Sequence, residues 1–272
     1  MAEELEDMVR AAFAGDENLQ CQVGDYYFFE CTGPEAWCQA AYWYSRAAWK
    51  GYAEGQYNLA YQYEYGLGVD EDTTKAAYWY GQAAHQLHGP AENNLGHLYE
   101  TGQGVEQDYE QAVYWYERAA RHGNCDGQCN TGIMYQFGYG GVQDDTKAAY
   151  WYELAAKKDN IIAQNNLGYL YETGRGVNQS YAAAAYWYEQ AAAGGDGPAQ
   201  NNLGQLYRDG KGVTTDAERA AALFSQAAQT GYVPAMENLA RAYETGQGVP
   251  QDPEKAAIWK HKARIKTIGL EK

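Results

Sequence analysis

The sequence predicts an all-α fold, a solenoid of about seven antiparallel helix pairs, and three observations predict it. A 36-residue period runs along the chain: Ala-Tyr-Trp-Tyr begins at Ala41, Ala77, Ala149 and Ala185, and Val-Tyr-Trp-Tyr begins at Val113 in the same register. Asn58, Asn94, Asn130, Asn166, Asn202 and Asn238 keep that spacing, and so do Gly66, Gly102, Gly138, Gly174, Gly210 and Gly246. Between these markers apolar residues recur at helical spacing, as in Ala163, Leu167, Leu170 and Tyr171. A helix pair of this size cannot bury its apolar stripe alone, so the units must stack.

Each element has its own signals. A first helix over about 2–14 caps the array, so residues 1–16 form an N-terminal cap, 17–266 the repeats and 267–272 a tail. The first helix of each pair, helix A, is expected near 17–29, 53–65, 89–101, 125–137, 161–173, 197–209 and 233–245. Pro90, Pro198 and Pro234 open three of them, a position where proline loses no hydrogen bond. A glycine ends helix A in a left-handed cap, and Gly-x-Gly-Val forms the turn. Helix B follows near 35–50, 72–86, 108–122, 144–158, 180–194, 216–230 and 252–266. Asp72, Asp108, Asp144, Ser180, Asp216 and Asp252 are its N-caps. Helix B ends in paired alanines that permit close helix contact, such as Ala119/Ala120. The first repeat is degenerate, with Glu30 and Thr32 in the places of Gly66 and Gly68. A slip is expected at Gly140-Gly141-Val142, and an extra residue between Val213 and Phe224. Lys260, Lys262, Arg264 and Lys266 suit the C-terminal end of the last helix.

Composition narrows the function. Aromatics at 15% make the chain too apolar for disorder despite a net charge of -16. That acidity argues against nucleic acid and anionic membranes as partners, and favours proteins carrying Lys or Arg. There is no apolar run of the ~20 residues a membrane helix needs. The start, MAEELEDMVR, lacks the features of a signal peptide. A cytoplasmic protein is expected on this reading, with secretion or delivery into a host left open if a leader has been removed. Five cysteines without repeat-linked spacing do not form a disulfide framework, although Cys31 and Cys38 flank one turn.

The pattern Asn94-Leu95-Gly96, Leu98-Tyr99, Gly102, Gly104-Val105, Asp108, Trp115-Tyr116 and Ala119-Ala120 resembles the Sel-one-like repeat (SLR) family, a branch of the tetratricopeptide-like α-solenoids. The resemblance covers residues from about 17 to 266. It implies a right-handed superhelix and scaffolding or adaptor roles. Cysteine-rich bacterial members of the family bind or cleave β-lactams and staple each repeat with a cysteine pair. Here the corresponding slots hold Ala48, Ala84, Ala120 and Ala156, then Gln56, Glu92, Gln128 and Gln164.

The resemblance also implies that helix A lines a concave groove. Helical geometry puts Tyr57, Tyr61 and Glu64 on that face, then Asn93, His97 and Glu100, and then Cys129, Ile133 and Gln136. Asn165, Tyr169 and Glu172 follow, then Asn201, Gln205 and Arg208, then Glu237, Arg241 and Glu244. Together with Asn94, Asn166 and Asn202 on its border, this face is the candidate partner-binding surface. The Asn column either holds an extended peptide or bonds the adjoining helix or loop backbone. The column Trp43, Trp79, Trp115, Trp151, Trp187, Phe224 and Trp259 is read as packing between repeats. Cys125 and Cys129 lie one turn apart near His122, and His85 and His88 are three residues apart. Neither group offers the four ligands of a structural zinc site, so no metal and no cofactor is expected. No G-x-S-x-G or H-E-x-x-H motif occurs. The expectation is therefore a monomeric, non-enzymatic scaffold that binds a protein or peptide. The alternatives are a β-lactam-binding or cell-wall-related enzyme, and a self-assembling repeat protein.

Overall fold

The structure, a computed structural model, describes residues 2–141 and 143–269. Val142, the last residue of the expected slip, and the end of the tail lie outside the described residues. The chain divides into two compact units, Met1–Gln143 and Asp144–Lys272. Among the described residues there are fifteen α-helices and one π-helical turn, and no strand.

The first unit holds α1 (Ala2–Ala14), α2 (Glu17–Asp25), α3 (Pro34–Trp49), α4 (Ala53–Tyr65), α5 (Thr73–His85), α6 (Gly89–Thr101), α7 (Tyr109–Arg121) and α8 (Cys125–Phe137). Helix α2 runs on into the π-helical turn Tyr26–Glu30. The second unit holds α9 (Asp145–Ala156), α10 (Ile161–Thr173), α11 (Tyr181–Ala193), α12 (Gly197–Asp209), α13 (Ala217–Gln229), α14 (Val233–Thr245) and α15 (Pro253–Thr267). Within each unit every helix packs on the next in sequence. The short turns make neighbours antiparallel.

The helix ends follow from the sequence. Asp72, Asp108, Asp144, Ser180, Asp216 and Asp252 each accept a hydrogen bond from the backbone N–H three residues on. Those bonds satisfy donors that the first helical turn cannot. Gly102 and its equivalents close helix A in the left-handed conformation. The second glycine of the turn has a steric reason as well. At Gly104 (φ +71°) a Cβ would lie 2.1 Å from the carbonyl oxygen of Thr73, at the start of the preceding helix B. Gly176 meets Asp145 O at the same distance. The turn thus packs backbone to backbone against the previous repeat, which explains its recurrence.

A buried tyrosine column runs through both units, beside a tryptophan column that is buried in the first unit and half-buried in the second. In Tyr114-Trp115-Tyr116 the first tyrosine is exposed and the other two residues are buried. Tyr44, Tyr80, Tyr116, Tyr152 and Tyr188 are among the largest fully buried side chains. Beside most of these rings helix A supplies space by omitting a side chain, though Ala60 holds that place beside Tyr80: a Cβ on Gly24 would lie 2.5 Å from Tyr44 Cε1, one on Gly96 2.8 Å from Tyr116 Cδ1, and one on Gly168 2.7 Å from Tyr188 Cδ1. Phe224 stands against Gly204 in the same way, at 2.7 Å. It therefore belongs to the tyrosine column and not to the tryptophan column where the sequence reading put it. Leu223 takes the tryptophan position, and no extra residue enters between Val213 and Phe224. Register is also kept at Gly140, which faces the Tyr109 carbonyl as Gly104 faces Thr73.

A third column is polar. Gln56, Gln128, Gln164 and Gln200 are buried, and each Nε2 donates to an alanine carbonyl eight residues back, at 3.1–3.3 Å. Met236 and Glu92 depart from the column, and the Glu92 side chain is fully buried. Arg118 Nε lies 3.0 Å from its Oε1, and His122 Nδ1 lies 2.6 Å from its Oε2. A carboxylate cannot donate to Ala84 O as glutamine would, and Arg118 Nη2 donates there instead, at 3.3 Å. Cys31 and Cys38 are not joined in a disulfide.

Candidate interaction surface

The outer face of helix A carries the candidate residues, and the structure places them in two patches, one in each unit. In the first unit Tyr57 is half-buried, its ring centroid 5.7 Å from Tyr80 and 4.9 Å from His88. Tyr61 lies one turn on, 4.6 Å from the Tyr65 ring. Asn94 Nδ2 donates to the Tyr80 hydroxyl at 3.1 Å, and Asn93 Nδ2 lies 3.3 Å from Asn94 Oδ1. Asn130 Nδ2 donates to Asn93 Oδ1 at 2.9 Å. His97 is exposed, with Nδ1 3.8 Å from Glu100 Oε2. Pairing with Glu100 raises the imidazole above its ordinary pKa and lowers the carboxylate, while partial burial opposes both shifts.

In the second unit the amide ladder recurs. Asn202 Nδ2 lies 3.5 Å from Asn165 Oδ1, and Asn238 Nδ2 donates to Asn201 Oδ1 at 2.8 Å. Asn201 is itself buried, and its Nδ2 lies 3.4 Å from Asn202 Oδ1. Asn166 and Gln205 are half-buried, whereas Tyr169 and Arg241 are exposed. Arg208 is held by Asp209 at 2.7 Å and reaches Asn238 Oδ1 at 3.4 Å. Arg241 lines a charged groove of about 480 Å³ with Glu237, Glu244, Lys260 and Arg264.

The glutamates of this face have a structural task that the spacing alone did not reveal. Tyr80, Tyr116 and Tyr188 donate their hydroxyls to Glu64, Glu100 and Glu172, at 2.6, 2.6 and 2.8 Å. Burial, then the neighbouring carboxylate, pushes the Tyr80 and Tyr188 phenols far above the ordinary range, so they remain donors. The pairing left one joint change in the sequence, at Phe224 and Arg208. Where Phe224 has no hydroxyl, the residue sixteen before it is Arg208; where Lys260 replaces tyrosine, Glu244 is kept and Lys260 Nζ pairs with it.

Other expected groups have different partners. His88 Nε2 lies 3.0 Å from Glu54 Oε2, and His122 is turned to Glu92. Among the described residues no three metal-ligating side chains converge. Burial holds the Cys129 thiol up at about 12. Among the described residues no helix is long and apolar enough to cross a membrane.

Comparison with known proteins agrees with the repeat register. The family model described as Sel1 repeat matches residues 53–86, 89–124, 125–160, 161–196, 197–232 and 233–264. Protein sel-1 homolog 2 from Homo sapiens is 39% identical over 64 residues, 23% of this chain and 9% of that protein. The crystal structure of c5321, a protective antigen of uropathogenic Escherichia coli strains displaying an SLR fold, superposes with a TM-score of 0.89 at 35% identity. That match covers 96% of this chain and 56% of the antigen. A Sel1 repeat protein from Oxalobacter formigenes gives a TM-score of 0.79 at 29% identity over 90% of this chain and 96% of its own. The chain thus spans about a tenth of sel-1 homolog 2 and little more than half of the antigen.

Proposed function

Because the chain belongs to the Sel1 repeat family, whose solenoids are generally protein-interaction scaffolds, we propose that it is a non-catalytic adaptor. It binds a partner polypeptide on the outer faces of its A helices. The observation that carries this reading is a single register position. Tyr61, His97, Tyr169, Gln205 and Arg241, each a multiple of 36 residues from the next, are exposed or half-buried on that face. The fold uses the neighbouring amides for its own ladder, whereas these side chains point outward from a rigid backing. Tyrosine offers broad contact at low entropy cost, and glutamine and arginine supply directional hydrogen bonds. Preorganised repeats limit the ordering cost of binding.

In this proposal Tyr57, Asn93, Asn94, Asn165, Asn166, Asn201, Asn202 and Arg208 set the shape and polarity of the face around those contacts. The pair formed by α2 and α3 is a degenerate seventh repeat, and α1 caps it. The protein works as a cytoplasmic monomer on protein or peptide partners, without nucleic acid, membrane or cofactor. An acidic surface should draw basic partners and make association faster at low salt.

Affinity capture from native cells tests the reading with three proteins: wild type, Tyr61→Ala/His97→Ala, and Tyr169→Ala/Gln205→Ala/Arg241→Ala. Circular dichroism must first show equal helix content. A partner held by wild type and lost by either variant supports the proposal. A partner held equally by all three overturns it.

A further inference from the structure

The first helix pair departs from the repeat at one place, and the departure builds a pocket. A cavity of about 160 Å³ is lined by Phe28, Phe29, Tyr44, Tyr57, Asn58 and Tyr61. In three other pairs the buried tyrosine of helix B donates to a glutamate sixteen residues earlier. For Tyr44 that position holds Phe28. Its hydroxyl donates instead to Asp25, one turn back, at 2.7 Å, and Asn58 Nδ2 lies 3.5 Å from the same oxygen. An aromatic ring thus stands where those three pairs place a carboxylate, and the carboxylate sits beneath the pocket. The π-helical turn Tyr26–Glu30 makes this rearrangement, and such turns recur at functional sites. Periodic packing does not explain it, because the equivalent residues of those pairs keep the ordinary arrangement.

The chemistry of the pocket selects its occupant. Phe28 and Tyr61 meet nearly edge to face at 6.3 Å, and Phe29 is 73% exposed at the mouth. Aromatic faces attract cations, the more so when water is excluded. The lining holds no basic side chain. The carboxylates near it are Asp25, under Tyr44, Glu64, which accepts from Tyr80, and Glu54, which pairs with His88 beside Tyr57. An anion would face both the ring quadrupoles and a chain of net charge -16.

We propose that this pocket receives one Lys or Arg side chain of the bound partner, its aliphatic stem against Phe28 and Phe29 and its cation over the tyrosine rings above Asp25. The inference rests on the A-face reading above and assigns part of the partner's sequence.

The probes are two short peptides, acetyl-Ala-Ala-Lys-Ala-Ala-amide and its norleucine analogue, which has a similar stem and no charge. They are titrated into the full-length protein and followed by NMR of the Tyr57 and Tyr61 ring protons. The lysine peptide should bind about tenfold more tightly than the norleucine peptide. Phe29→Ala, at an exposed site that leaves the fold intact, should weaken it about fivefold, and Phe29→Trp should tighten it. Equal binding of the two peptides, or no ring shifts with the lysine peptide at millimolar concentration, overturns the proposal. Full-length Phe29→Ala separates this inference from the adaptor reading. If it captures the partner as well as wild type while Tyr169→Ala/Gln205→Ala/Arg241→Ala loses it, the cation pocket fails and the adaptor stands.

Discussion

Replacing Tyr116 by phenylalanine and Glu100 by alanine, singly and together, measures what ties the buried tyrosine column to the outer face. The Tyr116 hydroxyl donates to Glu100 Oε2 at 2.6 Å. The Tyr116 side chain is buried, and that of Glu100 is 31% exposed. Hydrogen bonds to charged groups contribute roughly 1.5–3 kcal/mol, and access of water to Glu100 moves this pair to about 1 kcal/mol. Tyr116→Phe lets Glu100 take water and should cost about 1 kcal/mol, or about 2 °C of Tm in a chain of this length. Glu100→Ala strands a buried hydroxyl and should cost about 2 kcal/mol. The double variant should cost no more than Glu100→Ala alone, so the coupling is about 1 kcal/mol. The sign with pH follows from the lowered pKa of Glu100, due first to His97 and then to Tyr116 against opposing burial. A depressed carboxylate stabilises above its unfolded pKa, and that contribution is lost as pH falls through the folded value. Coupling should therefore be present at pH 7 and shrink in acid. Urea unfolding of the four proteins at both pH values is the assay. Coupling below about 0.3 kcal/mol at pH 7 refutes the reasoning, being within the scatter of independent sites.

Gly104→Ala should cost more than Gly195→Ala: both have positive φ, but only the first Cβ meets backbone, at 2.1 Å, while the second meets nothing within 4 Å. Thermal unfolding should show a loss of about 1–2 kcal/mol for Gly195→Ala and a clearly larger one for Gly104→Ala. Arg118→Ala should cost about 3 kcal/mol by taking from buried Glu92 one of its two partners and leaving only His122. Most of that should return in the Glu92→Gln background, where glutamine can donate to Ala84 O as its equivalents do elsewhere; a double variant no more stable than Arg118→Ala contradicts this. A thiol reagent should label exposed Cys38 quickly and leave Cys21 and Cys129 untouched until unfolding, since both are buried and burial holds each thiol up at about 12.

Much of the helical fold was legible because its signals are local and repeated. An aspartate cap, a glycine stop and an apolar stripe lie within a few residues of each other. They fix α12, capped by Asp196 and stopped by Gly210, without knowledge of neighbours. The order of burial inside Tyr-Trp-Tyr was less legible, since adjacent helical positions differ by one step of rotation. Its signal lay elsewhere, in glycines such as Gly96 and Gly168 that make room for the second tyrosine. Phe224 was misplaced because it was aligned by ring type and not by spacing from Gly204. The face of helix A was readable as a set of positions, but the division of labour on it was not. Asn94 serves Tyr80 and Asn130 serves Asn93 through contacts between helices, which spacing along one helix does not encode. The Glu92 cluster was signalled by one carboxylate in a glutamine column. The pocket at Phe28 was hidden because it lies in the degenerate repeat, where there is no period to compare.

The central claim is that partners dock on the outer A-helix face. Photocrosslinking tests it most directly. A benzophenone amino acid placed at Tyr169, exposed on α10, is compared in native cells with one at Tyr186, exposed on α11. The account predicts a discrete partner adduct from position 169 and none from position 186. The same adduct from position 186, with none from 169, would place the partner on the B helices and contradict it.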